Sequence, residues 1–436
     1  MFISLIRVIR VIRVIRVPSL FVLNNYEMSI ITEHSRTPNC LENIVMKPQA
    51  IFDYPLFALG FRAFFALAGL AALILIVFWN ALFNGSLTLE HYFPANYWHA
   101  HEMLLGYAVA VIAGFLLTAV KNWTGKSTVT GDPLASLCLL WLYGRILPFY
   151  AGELPDALIA LVDFSFLPAL AYQVSKPIIE ARQYRNMFFI GLLLLLALGN
   201  GLIHAQMLGL LANTAETGIQ LVVATIIILI LIIAGRVFPF FTERGIPGTL
   251  IIKNPLFDKL SVASAIIVFA LQLFGISGTL LALAAIIAVA INVVRLSYWY
   301  VKRILYVPLL WVLYAGYSWI ILGFMLTVLS AYSVVLQSLA LHAFTLGGIG
   351  VLTLGMMARV SLGHTGRAMK ASNAIAIAFV LINVAALFRI LLPIAMPSWY
   401  ENLIYISTLF WLAAFSLFIF VYAPILTGAR IDGQDG

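Results

Sequence analysis

The segment 97–125, YWHAHEMLLGYAVAVIAGFLLTAVKNWTG, contains the features that decide the fold of this chain. Its middle is a run of apolar and small residues that ends at Lys121, and about twenty such residues are enough for a helix to cross a bilayer. The histidines, His99 and His101, lie close to the other end of the run. The segment therefore predicts a membrane-spanning helix over 97–120 that carries its histidines near one membrane surface.

Apolar runs of this kind recur along most of the 436 residues, of which 63% are hydrophobic and only 10% charged. A soluble domain carries roughly a quarter charged residues, so the composition excludes a soluble protein of this size. The runs predict an all-α fold, a polytopic membrane bundle of about twelve transmembrane helices with no separate globular domain. The predicted spans are 61–83, 97–120, 133–151, 157–175, 187–210, 218–238, 260–275, 278–298, 309–330, 333–358, 372–395 and 402–426.

The lysines and arginines alternate between the two sides of these spans. All of them except Arg145 and Arg389 lie in the segment up to Arg62, in every second loop or the last turn of the span before it, or after the last span. The intervening loops contain only acidic charges: Glu90, Glu153, Asp156, Glu216 and Glu401. By the positive-inside rule, both termini are predicted to be cytoplasmic. The formal net charge of +8 thus reports membrane topology, and no nucleic-acid partner is expected.

The N-terminal residues 1–50 differ from the rest of the chain. Four arginines interrupt an Ile/Val repeat there and spread over half a helix instead of forming one polar face; they are Arg7, Arg10, Arg13 and Arg16. We predict a basic, low-complexity extension with little order over 1–50, a single transmembrane domain over 51–430 and a short tail over 431–436. The two cysteines, Cys40 and Cys138, imply no disulfide framework.

Polar side chains inside the predicted spans gather at one depth. Burying such groups in hydrocarbon is costly, so each is a candidate for function or for a specific buried pair. Counted at 1.5 Å of rise per residue, eight of them lie roughly 3 to 14 Å below the surface opposite the basic loops. They are His99, His101, Glu102, Arg145, Asp163, His204, His342 and Arg389. A cofactor site is therefore predicted in this outer half of the bilayer.

The four histidines of this group are predicted metal or haem ligands, since neutral imidazole is the commonest protein ligand for such centres. The alternative is hydrogen bonding between helices. His99 and His101 project about 200° apart on a helix and cannot chelate one ion. His204 and Met207 share a helical face, where an imidazole and a thioether would suit copper. Plain packing is the alternative for Met207, and His342 has no such partner nearby in sequence.

The two intramembrane arginines, Arg145 and Arg389, have two competing interpretations. Each could form a structural ion pair with Asp163 or Glu102 inside the bundle. Alternatively, the two guanidinium groups could bind haem propionates near the outer surface, because arginine keeps its charge even when it is buried. The residue pattern alone leaves both interpretations open.

Three segments resemble the NnrS family: FDYPLFALGFRAFFALAG from Phe52, the segment quoted above, and LHAFTLGGIGVLTLGMMARVSLGHTGR from Leu341. This family consists of polytopic bacterial inner-membrane proteins associated with haem, copper and the response to nitric oxide. The resemblance covers nearly all of the chain after residue 50 and departs from the family pattern at Ala63, where proline is expected. It implies roles for His99, His101, Glu102, His342, Arg359, His364, Thr365, Gly366 and Arg367.

Together these features predict an inner-membrane protein that binds haem and copper and that acts on, senses or protects against nitric oxide or nitrosyl species. A secondary transporter of a small solute or metal is the alternative, because twelve helices with both termini inside is also a transporter topology. A respiratory haem-copper oxidase is disfavoured, since four membrane histidines are too few for two haems and a histidine-ligated copper.

Overall fold

The computed structural model describes residues 52, 54–88 and 91–434, and the predicted extension 1–50 lies outside them. The described residues form twelve helices that are long and apolar enough to cross a membrane, which confirms the predicted all-α fold. They are α1 Gly60–Phe83, α2 Ala95–Thr124, α3 Gly131–Tyr150, α4 Asp156–Glu180, α5 Tyr184–Met207, α6 Ala215–Gly245, α7 Pro255–Leu273, α8 Thr279–Trp299, α9 Pro308–Ala331, α10 Gln337–Gly363, α11 Asn373–Ala395 and α12 Pro397–Thr427.

Each helix packs against its neighbour in the chain, and α12 returns to pack against α1. The contact between the first and last helices is reinforced by hydrogen bonds. The Trp411 indole donates to the Ala72 carbonyl at 2.8 Å, and the Arg62 guanidinium donates to the Leu426 and Gly428 carbonyls at 3.0 and 2.7 Å. Arg62 thereby satisfies carbonyls at the end of α12 that have no partner within the helix.

The most enclosed helices are α2, α6 and α10, with 83%, 61% and 67% of their apolar windows buried inside the protein. The helix α6 continues seven residues beyond the predicted span 218–238 and reaches Gly245. Hydrogen bonding within a helix does not require an apolar side chain, so a helix can continue past the end of its hydrophobic run. As a result, Arg244 lies on the helix instead of in a loop.

Three described helices contain π-helical segments: Glu102–Ala108 in α2, Ala343–Gly350 in α10 and Leu387–Leu391 in α11. The first two directly follow His101 and His342, and the third contains Arg389. A π-helical turn is wider than an α-helical turn and shifts the direction of the side chains around it, and such segments are frequent at functional sites. No sequence pattern predicted them.

Candidate functional site

The helix α2 presents its two histidines to different surroundings. His101 is completely buried and faces α4 and α5, where it contacts Asp163 and Asn200. His99 is half-buried and stacks on the Trp79 ring of α1, with ring centroids 4.1 Å apart and planes at 18°. The bundle therefore contains two histidine sites on opposite sides of one helix.

We define the His/Asp cluster as His101, Asp163 and His204. Its three side chains come from α2, α4 and α5, and all are buried. The Asp163 Oδ2 atom lies 3.1 Å from His101 Nε2 and 2.8 Å from His204 Nε2. One nitrogen or oxygen atom from each residue lies within 4.8 Å of the others, a spacing that can hold a metal ion. Two imidazoles and one carboxylate form a donor set found around transition metals.

Arg145 holds both carboxylates of this region. Its Nη2 donates to Asp163 Oδ1, and its Nε lies 3.4 Å from Glu102 Oε2. For Arg145 the structure therefore favours the ion-pair interpretation over a propionate clamp. The helix α3 can approach this closely because Gly144 precedes the arginine: a Cβ atom there would lie 2.7 Å from Asp163 Oδ1.

Two further side chains orient the cluster. Asn200 donates from Nδ2 to Asp163 Oδ2 at 2.9 Å, and its Oδ1 lies 3.1 Å from His101 Nε2. The Tyr92 hydroxyl lies 3.1 Å from His204 Nδ1, and burial, followed by the charge of Asp156, raises the pKa of this phenol. A protonated Tyr92 can hydrogen-bond to either tautomer of His204. Hydrogen bonds of this kind fix the orientation of histidines that ligate metals.

The hydrogen bonds of His101 determine which charges the cluster can hold. Its Nδ1 lies 3.0 Å from Glu102 Oε1, and its Nε2 faces Asp163. An imidazolium could donate to both carboxylates, and together with Arg145 it would balance them with no net charge. A metal ion on Nε2 would replace one of these protons and leave Nδ1–H donating to Glu102, the arrangement typical of a metal-bound histidine. The charge of the two carboxylates can therefore be balanced either by protonation of His101 or by a bound metal cation.

The second site is a cavity, here called the outer cavity, which is lined by His99, His342 and Arg389. Its volume is about 120 Å³. His342 Nδ1 donates to the Ser338 carbonyl at 2.7 Å, which leaves the Nε2 lone pair free to bind an iron or a metal ion. The rest of the wall is mostly apolar, as in typical cofactor sites.

Arg389 differs from Arg145 in its partners. Its guanidinium lies 5.5 Å from the centre of the Tyr400 ring, and its buried Nη1 atom has no hydrogen-bond partner. Among residues 52, 54–88 and 91–434, no carboxylate lies within ion-pair distance of it. The outer cavity therefore has in its wall a half-buried cation with no acidic partner in the described part of the chain, which would favour an anionic group on a ligand.

The remaining predicted residues are neither members of the His/Asp cluster as defined above nor part of the wall of the outer cavity. Met207 ends α5 and packs, half-buried, against the hydrophobic core. Arg359, His364 and Arg367 lie near or just beyond the C-terminal end of α10, whereas His342 lies near its N-terminal end.

This C-terminal end of α10 binds the C-terminal tail. Arg359 is buried with its guanidinium 3.9 Å from the centre of the Phe241 ring. The His364 and Thr365 carbonyls accept hydrogen bonds from the Arg430 Nη1 and the Ile431 N–H at 3.1 and 3.4 Å. Burial, followed by the charges of Arg430 and Lys121, lowers the pKa of His364. The GHTGR part of the third family segment thus contributes to tail docking.

Three residues at these sites were not predicted from the sequence: Asn200, Tyr92 and Trp79. A signal for Asn200 was present, because an amide inside the apolar run of α5 lies four residues before His204 and therefore on the same helical face. Tyr92 lies in a loop and Trp79 resembles an ordinary interfacial aromatic residue, so neither had a distinguishing pattern.

The chain was compared with known proteins. The profile of one protein family, described as "NnrS protein", matches residues 55–430. No curated protein matches the chain. The profile match covers all twelve helices and both histidine sites.

Proposed function

The chain belongs to the NnrS family, and from this premise we propose that it is a haem- and copper-binding inner-membrane protein of the response to nitric oxide or nitrosative stress. The observation that carries the proposal is the pair of histidine sites on opposite sides of α2, one a cavity and the other a compact cluster. Two sites of different shape and donor set suit two different cofactors.

Haem is assigned to the outer cavity. His342 Nε2 and His99 are the proposed iron ligands, and Arg389 is the proposed partner of a propionate. The fit rests on the free imidazole nitrogen, the unpaired guanidinium and the apolar wall of the cavity. When bound, haem iron would bind a diatomic ligand in exchange for one of the two imidazoles. The protein would orient the ring through Trp79 and exclude water through the apolar wall.

A second cavity supports access by a small uncharged molecule. It lies between α2, α6 and α10, has a volume of about 70 Å³ and a wholly apolar surface, and shares Ile349 with the outer cavity. The Tyr107 hydroxyl, on the wall of the outer cavity, is hydrogen-bonded to Thr353 Oγ1, on the wall of the second cavity, at 2.6 Å. Nitric oxide is uncharged and partitions into hydrocarbon, so it could reach the histidines through this part of the bundle.

Copper is assigned to the His/Asp cluster, because imidazole nitrogens bind copper well and the site is enclosed. His101, Asp163 and His204 are the proposed ligands, with Met207 as a further thioether ligand one turn beyond His204. Arg145 and Glu102 would hold the carboxylate and the imidazole in place. The cofactors thus have separate ligand sets and can be removed independently by mutation.

We further propose that both termini are cytoplasmic, which places the two histidine sites in the periplasmic half of the bilayer. The basic loops support this orientation. A reporter enzyme that is active only in the cytoplasm, fused after residue 436, should be active, whereas a periplasm-specific reporter at the same position should not.

The proposal is tested by absorption spectroscopy and metal analysis of purified protein expressed with sufficient haem and copper. We expect a Soret band and bound copper. His342→Ala should lose the Soret band and keep copper, whereas His204→Ala should lose copper and keep the Soret band. A wild-type protein with neither cofactor would refute the proposal and leave transport of a small solute or metal as the function to test.

A further inference from the structure

A basic cleft lies at the opposite end of the bundle from the histidine sites. It is formed where α2 ends and α5 begins, beside the last three turns of α6. Its volume is about 480 Å³, and its walls are Trp123, Gln183, Arg185, Asn186 and Arg236. None of these residues takes part in the proposed haem or copper sites.

The guanidinium of Arg236 is held in one orientation. Its Nη1 donates to Asn186 Oδ1 at 3.2 Å, and its central carbon lies 5.3 to 5.5 Å from the ring centres of Trp123, Phe188 and Phe189. Aromatic faces attract a cation at this distance. Arg236 is exposed, and its remaining N–H donors have no hydrogen-bond partner in the described part of the chain, so they are available to a ligand.

A chain of hydrogen bonds holds Asn186, the hydrogen-bond partner of Arg236, in place. Asn186 is 2% exposed and donates from Nδ2 to Gln183 Oε1 at 3.0 Å. Gln183 in turn donates to the Trp123 carbonyl at the end of α2, at 2.5 Å. The side-chain amides of Asn186 and Gln183 are thus both hydrogen-bonded, so this part of the cleft wall is formed without a ligand.

The positive charge of the cleft has no acidic partner in the described part of the chain. Neither Arg185 nor Arg236 has a carboxylate within 4.0 Å there. The Glu180 carboxylate instead forms an ion pair with Lys126, with Oε1 and Nζ 2.8 Å apart. Two like charges that face one cleft repel each other, and an anion with several oxygens would relieve that repulsion.

We propose that the basic cleft binds a phosphate group, supplied by the headgroup of an anionic phospholipid. A guanidinium group can donate two parallel hydrogen bonds to phosphate oxygens. Basic pockets between transmembrane helices on the cytoplasmic side are known to bind phospholipid headgroups. Exposed Tyr184 is next to Arg185 in sequence and would contact the acyl chains. A soluble phosphate has the same chemistry, and the experiment separates the two sources.

The test uses the full-length protein, purified and delipidated in a neutral detergent. Dioctanoyl phosphatidylglycerol, dioctanoyl phosphatidylcholine and inorganic phosphate are titrated separately by calorimetry. We expect phosphatidylglycerol to bind, and Arg185→Gln or Arg236→Gln to weaken its binding on the order of tenfold or more. Arg185 is exposed and has no described partner, so its replacement should leave the fold intact.

The matched control is Arg244→Gln, which removes the same charge two turns further along α6, outside the cleft, and should bind lipid like the wild type. Binding of phosphatidylglycerol alone supports a lipid headgroup, whereas arginine-dependent binding of inorganic phosphate supports the phosphate site and overturns the lipid source. Equal binding by the wild type, Arg185→Gln and Arg236→Gln, or no binding of any probe, overturns the proposal. The outcome does not depend on haem or copper content.

Discussion

Replacing Arg145 and Arg389 one at a time by leucine should have opposite consequences, although both arginines lie inside membrane-spanning helices. Arg145 is paired with Asp163 and Glu102. Removing it leaves two buried carboxylates with one fewer positive charge beside them, and breaking a buried ion pair costs about 3 to 5 kcal/mol. Arg145→Leu should therefore lower the stability of the protein by that amount, with or without haem.

Arg389 has no described acidic partner, so Arg389→Leu removes a half-buried charge that forms no ion pair there. The cofactor-free protein should be as stable as the wild type or more stable, because no carboxylate is left without its partner. Haem retention should fall, since a hydrogen bond to a charged group contributes about 1.5 to 3 kcal/mol. That range corresponds to roughly tenfold weaker binding or more.

The assay measures thermal unfolding in detergent for cofactor-free and haem-loaded protein, together with haem loss to a competing haem acceptor. The Glu102→Gln change added to Arg145→Leu should recover part of the lost stability, because it removes one of the two uncompensated charges. The same change should not stabilise Arg389→Leu, in which Glu102 still has Arg145 and His101 as partners. Equal destabilisation of the cofactor-free protein by the two leucine variants would refute the assignment of partners.

Three further perturbations test individual contacts. Gly144→Ala places a Cβ atom 2.7 Å from Asp163 Oδ1, so the variant should lose copper and keep haem in metal analysis and absorption spectra. Tyr92→Phe removes the hydroxyl next to His204 and should weaken copper binding about 10- to 100-fold in a competition titration with a copper chelator. Burial lowers the pKa of His91 from 6.5 to about 4, so the unfolded chain takes up this proton first and stability should fall as pH drops through that window. The loss is at most about 3 kcal/mol, and His91→Gln should reduce it when melting temperatures at pH 5 and pH 7.5 are compared.

Much of the fold was predictable because each span is a local property of the chain. The apolar runs located all twelve helices, with boundary differences such as the longer α6. The spacing of His99 and His101 also predicted that they could not chelate one ion, since rotation along a helix follows from residue number. The three π-helical segments were not predictable, because they arise where packing around His101, His342 and Arg389 favours a wider turn.

The sequence by itself determined the number of spans and predicted their direction and the depth of each intramembrane polar residue, because depth along a spanning helix follows from residue number. Tertiary structure alone decided which residues at that depth meet. It paired Arg145 with Asp163 and left Arg389 with His99 and His342 at the cavity. The physical reason is that lateral neighbours are set by how twelve helices pack, and two residues at equal depth can contact each other or lie on opposite sides of the bundle.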